Sequence, residues 1–349
     1  MRKQQGLSLI ELMISITIGI ILMTGVVQMF ITSRISFSTQ QGISRIQETG
    51  RFAIEFLSRD IRMAGYLGCI DRANPQISNT LNTANGFYYR MDVGIEGYTA
   101  APATSNLNPA PLANTDVLVI RSANGNNAAV AVNNSSAQLF ITDTGTVANA
   151  CPGNKASYSG ICDDDILIVS DCVKARIFQA TNVQDAGDIN ISHAAAGTPG
   201  NAMVSWGAAA NPDPIFGPGA EVLTVNNTVY YIAASNVSEE PSLYQKINNN
   251  APLELLEGVE DMHLTYSRSN SPSVFQDAAT LPANAWTDTE NPVVSVRIEL
   301  LVRSVQDNVL DQPQSFIFPA GTPERMPDPL DRRMRQVFVN TVGIRSRLP

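Results

Sequence analysis

Gly6-Leu7-Ser8-Leu9-Ile10-Glu11-Leu12-Met13-Ile14-Ser15-Ile16-Thr17-Ile18-Gly19-Ile20-Ile21-Leu22-Met23 is the stretch that governs the reading of the whole chain. Ahead of it stand Met1-Arg2-Lys3-Gln4-Gln5, polar and positive. Behind it the apolar run continues through Val26, Val27, Met29, Phe30 and Ile31. That makes about 25 residues with one charge, enough to cross a bilayer as a helix. Arg2 and Lys3 predict a cytoplasmic N-terminus with everything after the helix sent outward.

A secretory signal is cut after its apolar stretch, which is then lost. Here the small residue that suits cleavage, Gly6, comes before it. Cutting between Gly6 and Leu7 keeps the apolar helix on the mature protein, with Leu7 as the new amino terminus. Glu11 then stands one turn from the freed α-amino group. A carboxylate inside a spanning segment costs a few kcal/mol and marks function. A neighbouring helix staggered by one turn brings its own amine to Glu11. A misaligned helix leaves both charges unpaired, so the pair sets register. The rival reading is a simple anchor whose glutamate snorkels to the interface.

These residues resemble the class III signal of type IV prepilins and type II secretion pseudopilins. The resemblance implies that a dedicated membrane peptidase cuts after Gly6 and methylates Leu7, and that Glu11 serves subunit docking. Leu7 takes the place of the family's usual phenylalanine. The helix-breaking proline of major pilins has no counterpart, since Gln28 stands near that place; Gly19 and Gly25 remain as points where the helix can loosen.

Past Ile31 the pattern turns one-sided. Ile43, Ile46, Gly50, Ile54, Leu57, Ile61 and Ala64 recur every three or four residues, a single stripe on a helix. Arg45, Glu48, Arg51, Glu55, Arg59 and Arg62 fall largely outside it, and Gly65 suits a C-cap. A helix from Leu7 to about Met63 is roughly 85 Å long. That exceeds a compact domain and fits a rod half in membrane and half on a head. A coiled coil is the alternative, but no strict heptad is sustained. The chain thus divides into a leader (1–6), a membrane and filament-core half-helix (7–31), an amphipathic half-helix (32–65) and a periplasmic head (66–349).

With 349 residues, 44% of them hydrophobic, the chain can bury a sizeable core. After Gly65 the helical period stops. Asp71 to Thr115, rich in Asn, Pro, Ala and Thr, reads as a surface excursion with little regular structure. Strand-like runs follow at 117–120, 137–141, 166–169 and 175–178, and again at 242–245, 259–266, 293–302 and 336–342. Residues 194–220 read as an insertion. Asn226-Asn227, between β-branched runs, predicts a tight hairpin. Short strands without a second long helix predict an antiparallel sheet under the stem, an α+β ladle.

The four cysteines, Cys69, Cys151, Cys162 and Cys172, follow an export signal in even number and predict two disulfides in an oxidising compartment. Cys162 and Cys172 flank an extended run, which disfavours their pairing. The preferred assignment is Cys151 with Cys162 as a local loop and Cys69 with Cys172 tying helix end to sheet; the other connectivities stay open. A metal reading lacks a CxxC pair and a nearby histidine. Asp163-Asp164-Asp165 is a calcium candidate without EF-hand ligand spacing, or else a solvated turn that opens a strand.

Neither His193 nor His263 belongs to a catalytic motif, and no nucleophile elbow, HExxH or P-loop occurs. The expectation is a structural protein with no cofactor. Trp206 and Trp286 could offer a binding surface, but a buried or loop-packing place is the commoner case for tryptophan. A net charge of -9 argues against a strong grip on nucleic acid. The arginines at 332, 333, 335, 345 and 347 read as a solvated or salt-bridged face.

Four head segments look similar to PilW-type minor pilins. They are Arg62-Met63-Ala64-Gly65-Tyr66 followed by Cys69, the run from Asp165 to Cys172, Glu257-Gly258-Val259-Glu260-Asp261 leading to Tyr266, and the close from Arg332 to Arg347. The resemblance implies a minor pilin in assembly initiation and the pilus-tip complex. Its implied partners are other minor pilins, major pilin, an inner-membrane assembly platform, the prepilin peptidase and a tip adhesin. Its implied place is the inner membrane, head in the periplasm, and then the pilus. A J-type pseudopilin of type II secretion shares the signal, with a smaller head. A membrane-anchored periplasmic enzyme or ligand-binding protein is the third reading, and the enzyme lacks its constellation.

Overall fold

The computed structural model describes residues 8–70, 76–134, 138–205, 215–327 and 329–347. The Gly6–Leu7 junction and Trp206 lie outside them. One α-helix, the stem, runs over Leu9–Met63 without a break at Gly19 or Gly25. Glu11 sits in its first turn, where a carboxylate suits the positive end of the helix dipole. Ala64 caps the far end and Gly65 follows at φ 72°. Only glycine enters that left-handed region cheaply. Gly65 also backs onto Gly94, whose added Cβ would lie 2.3 Å from the Gly65 Cα.

From Ser8 to Phe37 every residue is exposed. Further along, Gly42, Ile46, Gly50, Ala53, Leu57, Ser58 and Ile61 are buried. The buried seam therefore runs slightly to one side of the expected stripe, and Ile43 and Ile54 flank it half-buried. Small residues lie on it because the head comes close. A Cβ on Gly50 would meet the Phe338 ring at 2.3 Å, and one on Gly42 would meet Val309 at 3.1 Å. The six charged residues named outside the stripe are all exposed.

The head is built of sheets. A four-stranded antiparallel sheet has the order Ser271–Asp277, Val259–Arg268, Val293–Arg303 and Arg335–Gly343. The stem lies on its last two strands. Along Val293–Arg303 the side chains of Val296, Ile298, Leu300 and Val302 join the core with Leu57 and Ile61, while Leu301 faces Phe316 and Phe318 on the other side. That is the two-residue period of a strand covered on both faces. An eight-stranded sheet contributes Leu118, Ile120, Tyr230 and Ile232 to the same core. A three-stranded sheet, Gln138–Ile141, Ile189–Ser192 and Asn182–Asp185, packs on the large sheet through a second core around Phe178 and Phe216. Among the described residues, strand pairing is antiparallel apart from Gln76–Asn79 beside Lys174–Gln179. The molecule is an α+β pilin-like fold, one long helix on a sheet-rich head.

Two sequence expectations are corrected. Asn226-Asn227 is not a turn: both residues lie inside the continuous strand Glu221–Ala234. Val117–Ala129 pairs along one side of it from Glu221 to Tyr230. The amides serve distant loops. Asn227 Nδ2 donates to the Tyr88 carbonyl at 2.6 Å, and Asn226 Oδ1 accepts from Asn248 Nδ2 at 3.0 Å. Long-range pairing outweighs the local turn preference.

The segment from Asp71 to Thr115 is also more than an excursion. Its strand Ile95–Tyr98 pairs with Val117–Ala129, and Met91, Val93 and Ile95 are buried.

Candidate functional site

The exposed half of the stem is a sheath of apolar atoms. Leu9 is 79% exposed and Phe30 70%. This is a helix long and apolar enough to cross a membrane, and none of that part is buried by the other described residues. Its hydroxyls turn inward. Ser15 Oγ donates to the Glu11 carbonyl at 2.7 Å, Thr24 Oγ1 to that of Ile20 at 2.8 Å and Thr32 Oγ1 to that of Gln28 at 2.9 Å. Back-bonding of this kind removes donors that hydrocarbon cannot satisfy. Glu11 is the one ionisable side chain between Leu9 and Ser33, and it stands on the open surface of this sheath.

The other half is latched to the head by polar contacts around the apolar seam. Tyr230 Oη donates to Asp60 Oδ2 at 2.6 Å and accepts from Gln245 Nε2 at 2.7 Å. Burial, then the Asp60 charge, pushes the Tyr230 phenol far up, so it remains a donor at neutral pH. Asn340 Nδ2 donates to Ser58 Oγ at 3.0 Å, and Ser346 Oγ donates to the Ala64 carbonyl at 2.6 Å. Just past the stem, Gly65 N–H donates to the Arg121 carbonyl at 2.8 Å. Sequence periodicity located the apolar seam and missed this latch, because Tyr230 and Gln245 are remote in the chain. Asp60, a carboxylate wedged between Leu57 and Ile61, was the available signal.

Cys69 is bonded to Cys172, joining the segment after the stem to the turn between Ile166–Ser170 and Lys174–Gln179. Cys151 is bonded to Cys162 across the short ribbon of Thr146–Cys151 and Lys155–Tyr158. The three consecutive aspartates diverge. Asp163 meets Lys155 Nζ at 2.8 Å and accepts from the Val183 N–H. Asp164 accepts from Gln179 Nε2, and Asp165 accepts from the Cys162 N–H at 2.8 Å. Burial pushes the Asp165 carboxyl up. Among the described residues, no group of three or more His, Cys, Asp or Glu side chains is placed to hold a metal ion.

The histidines lie apart, His193 just past the strand Ile189–Ser192 and His263 within Val259–Arg268. His193 is buried against the Phe178 ring, and burial lowers its pKa to about 4. His263 bridges Asp116 and Asp277, and the hydrogen bond its ring donates to Asp116 leads the causes that raise its pKa. Of the C-terminal arginines, Arg335 is paired with Glu260 at 2.7 Å and Asp331 at 2.6 Å, and Arg333 with Glu240 at 2.8 Å. Trp286 packs in a T-shaped contact with Tyr266.

Residues 229–346 match the family model of type IV pilus-assembly protein W, and residues 1–27 that of the prokaryotic N-terminal methylation motif. No curated protein and no solved structure matches the chain. The first match covers the strands and the close that grip the stem; the second covers the signal and most of the apolar sheath. The two matches fall on the two parts of the molecule, the stem's exposed end and the sheets that pack on its other half, and they support the same assignment. The chain is a type IV pilin-like protein of the PilW family.

Proposed function

We propose that this pilin is a minor subunit that takes part in starting type IV pilus assembly and stands in the tip complex. The observation that carries the reading is the bare apolar half-stem ending in Glu11. Each large apolar side chain withdrawn from water contributes about 1.5–3 kcal/mol, so such a sheath is stable only in lipid or among other helices. Before assembly the lipid is the inner membrane, with the head in the periplasm; afterwards the surroundings are neighbouring stems. Cleavage at Gly6 and methylation of Leu7 ready the end of the helix. Glu11 then pairs with a neighbour's terminal amine.

The broad head, with two disulfides and long loops, suits a subunit present in few copies over one that tiles a fibre. Its partners in this reading are other minor pilins, major pilin, the assembly platform, the prepilin peptidase and a tip adhesin. Pilin domains are structural, and nothing in the head's chemistry requires turnover.

Intact-mass spectrometry of protein recovered from pili tests the reading. The expected species begins at methylated Leu7 with all four cysteines oxidised. A chain recovered only from membranes, still beginning at Met1, would overturn it.

A further inference from the structure

Beyond the stem, one site in the head carries ligand chemistry of its own. A cavity of about 770 Å³ opens beside Gly65, at the far end of the stem from Leu9. Leu67, Ile70 and Trp286 give it apolar walls, and Leu67 and Ile70 are themselves buried. Arg347 also lines it. Its Nη1 donates to the Val293 carbonyl at 3.2 Å. Unlike Arg303, Arg333 and Arg335, it has no carboxylate within ion-pair distance among the described residues. Burial alone lowers its pKa, with no acid to offset it. A guanidinium stays charged in proteins and presents five N–H donors in a planar fork. Holding such a fork in a largely apolar cavity without a counter-ion is costly, and an entering anion removes the cost.

We propose that this cavity binds the carboxyl terminus of a partner polypeptide whose last side chain is apolar. The carboxylate matches the Arg347 fork in the two-point geometry that guanidinium favours. The last side chain fills the space between Trp286, Leu67 and Ile70; of the three lining carboxylates Asp288 is paired with Arg268, and the preceding backbone N–H groups reach the other two, the exposed Asp92 and Glu290. Those acids repel a multiply charged ligand such as phosphate, so the fit is to one negative charge on an apolar body. Terminal-carboxylate capture is a recognised mode of peptide recognition. The site goes beyond the tip assignment, because its chemistry suits any neighbour whose chain end reaches that pole of the head.

Calorimetry on the full chain in detergent micelles provides the test. The probes are acetylated tetrapeptides ending in leucine or phenylalanine, as free acids and as amides, with inorganic phosphate as a separate titrant. The free acids are expected to bind saturably at one site, and their amides about tenfold more weakly. Arg347→Gln should erase the preference for acid over amide, while Trp286→Ala should weaken both forms and leave the preference. Circular dichroism confirms that each variant is folded. Equal binding of acid and amide, no saturable binding of either, phosphate binding as tightly as peptide, or an Arg347→Gln variant that keeps the preference would each overturn the proposal.

Discussion

The two halves of the stem are one unbroken helix, yet they solve opposite problems. From Leu9 to Ile31 apolar residues surround the axis, and among the described residues nothing covers them. From Gly42 to Ala64 the apolar residues narrow to a seam, and the head covers it so closely that glycine stands where Phe338 approaches. Backbone and propensity are shared, so only the distribution of side chains around the axis separates the halves. A one-sided helix finds its partner within its own chain, whereas an all-round one needs partners elsewhere. Independence of the two halves is the consequence, and it can be broken experimentally.

The largest effect is expected at Glu11. If Glu11 pairs with a neighbour's terminal amine as proposed, Glu11→Ala removes one charge of that pair and leaves the amine unpaired, a loss of about 3–5 kcal/mol for each buried contact. Incorporation into pili should fall to background by immunoblot of sheared fibres, while the melting temperature of the head stays unchanged. Normal incorporation would show that the exposed half is only an anchor.

Next comes the bond at the exit of the stem. Replacing Cys69 and Cys172 by serine frees the segment after Gly65 from the large sheet, and should cost the head about 2–4 kcal/mol. The Cys151–Cys162 pair closes 11 residues instead of 103, so its removal should cost less. Urea titration ranks the two, and the reverse order would mean that the stem exit bears little on head stability. Within the seam, Gly50→Leu forces a side chain into the Phe338 ring and should destabilise the head by about 1–3 kcal/mol.

A smaller effect comes from His193, far from either half of the stem. Its folded pKa of about 4 lies below the ordinary value of 6.5. Between those values the unfolded chain holds a proton that the folded chain refuses, so stability is lost as pH falls through that window. His193→Gln should remove up to about 3 kcal/mol of that pH dependence once the pH has fallen through the whole window. His263, raised by Asp116, contributes with the opposite sign, stabilising at low pH and fading as pH rises through its folded pKa. Thermal melts at several pH values separate the two. An unchanged acid slope in His193→Gln would mean that the imidazole is not buried neutral.

What could be read from the sequence follows the same division between local and distant causes. The stem, and strands such as Ile166–Ser170 and Val293–Arg303, carry their pattern in neighbouring residues, so periodicity finds them. Ser271–Asp277 and Thr146–Cys151 are mostly exposed strands with no alternation, and pairing alone makes them strands. Asn226-Asn227 misleads because the groups that hold it straight, the strand Val117–Ala129 on one side and Asn248 on the other, are remote in the chain. In the candidate site, Glu11 stood out as a charge among apolar neighbours. The Asp60–Tyr230–Gln245 latch and the Arg347 cavity did not, because the chain must fold before those groups meet.

The smallest expected effect isolates the comparison best. Gly19 faces open space in the exposed half, and Gly50 faces Phe338 in the covered half. Within a helix, alanine is favoured over glycine by about 0.8–1 kcal/mol. At Gly19 nothing opposes that gain, so Gly19→Ala should raise helix content slightly in detergent and leave the head's melting temperature unmoved. At Gly50 the same methyl would lie 2.3 Å from the ring, and the contact outweighs the propensity. One substitution, made twice on one helix, should therefore change sign between the halves. Stabilisation at both positions would mean that the head rides loosely on the stem; destabilisation at both would mean that the bare half already has a partner within the chain.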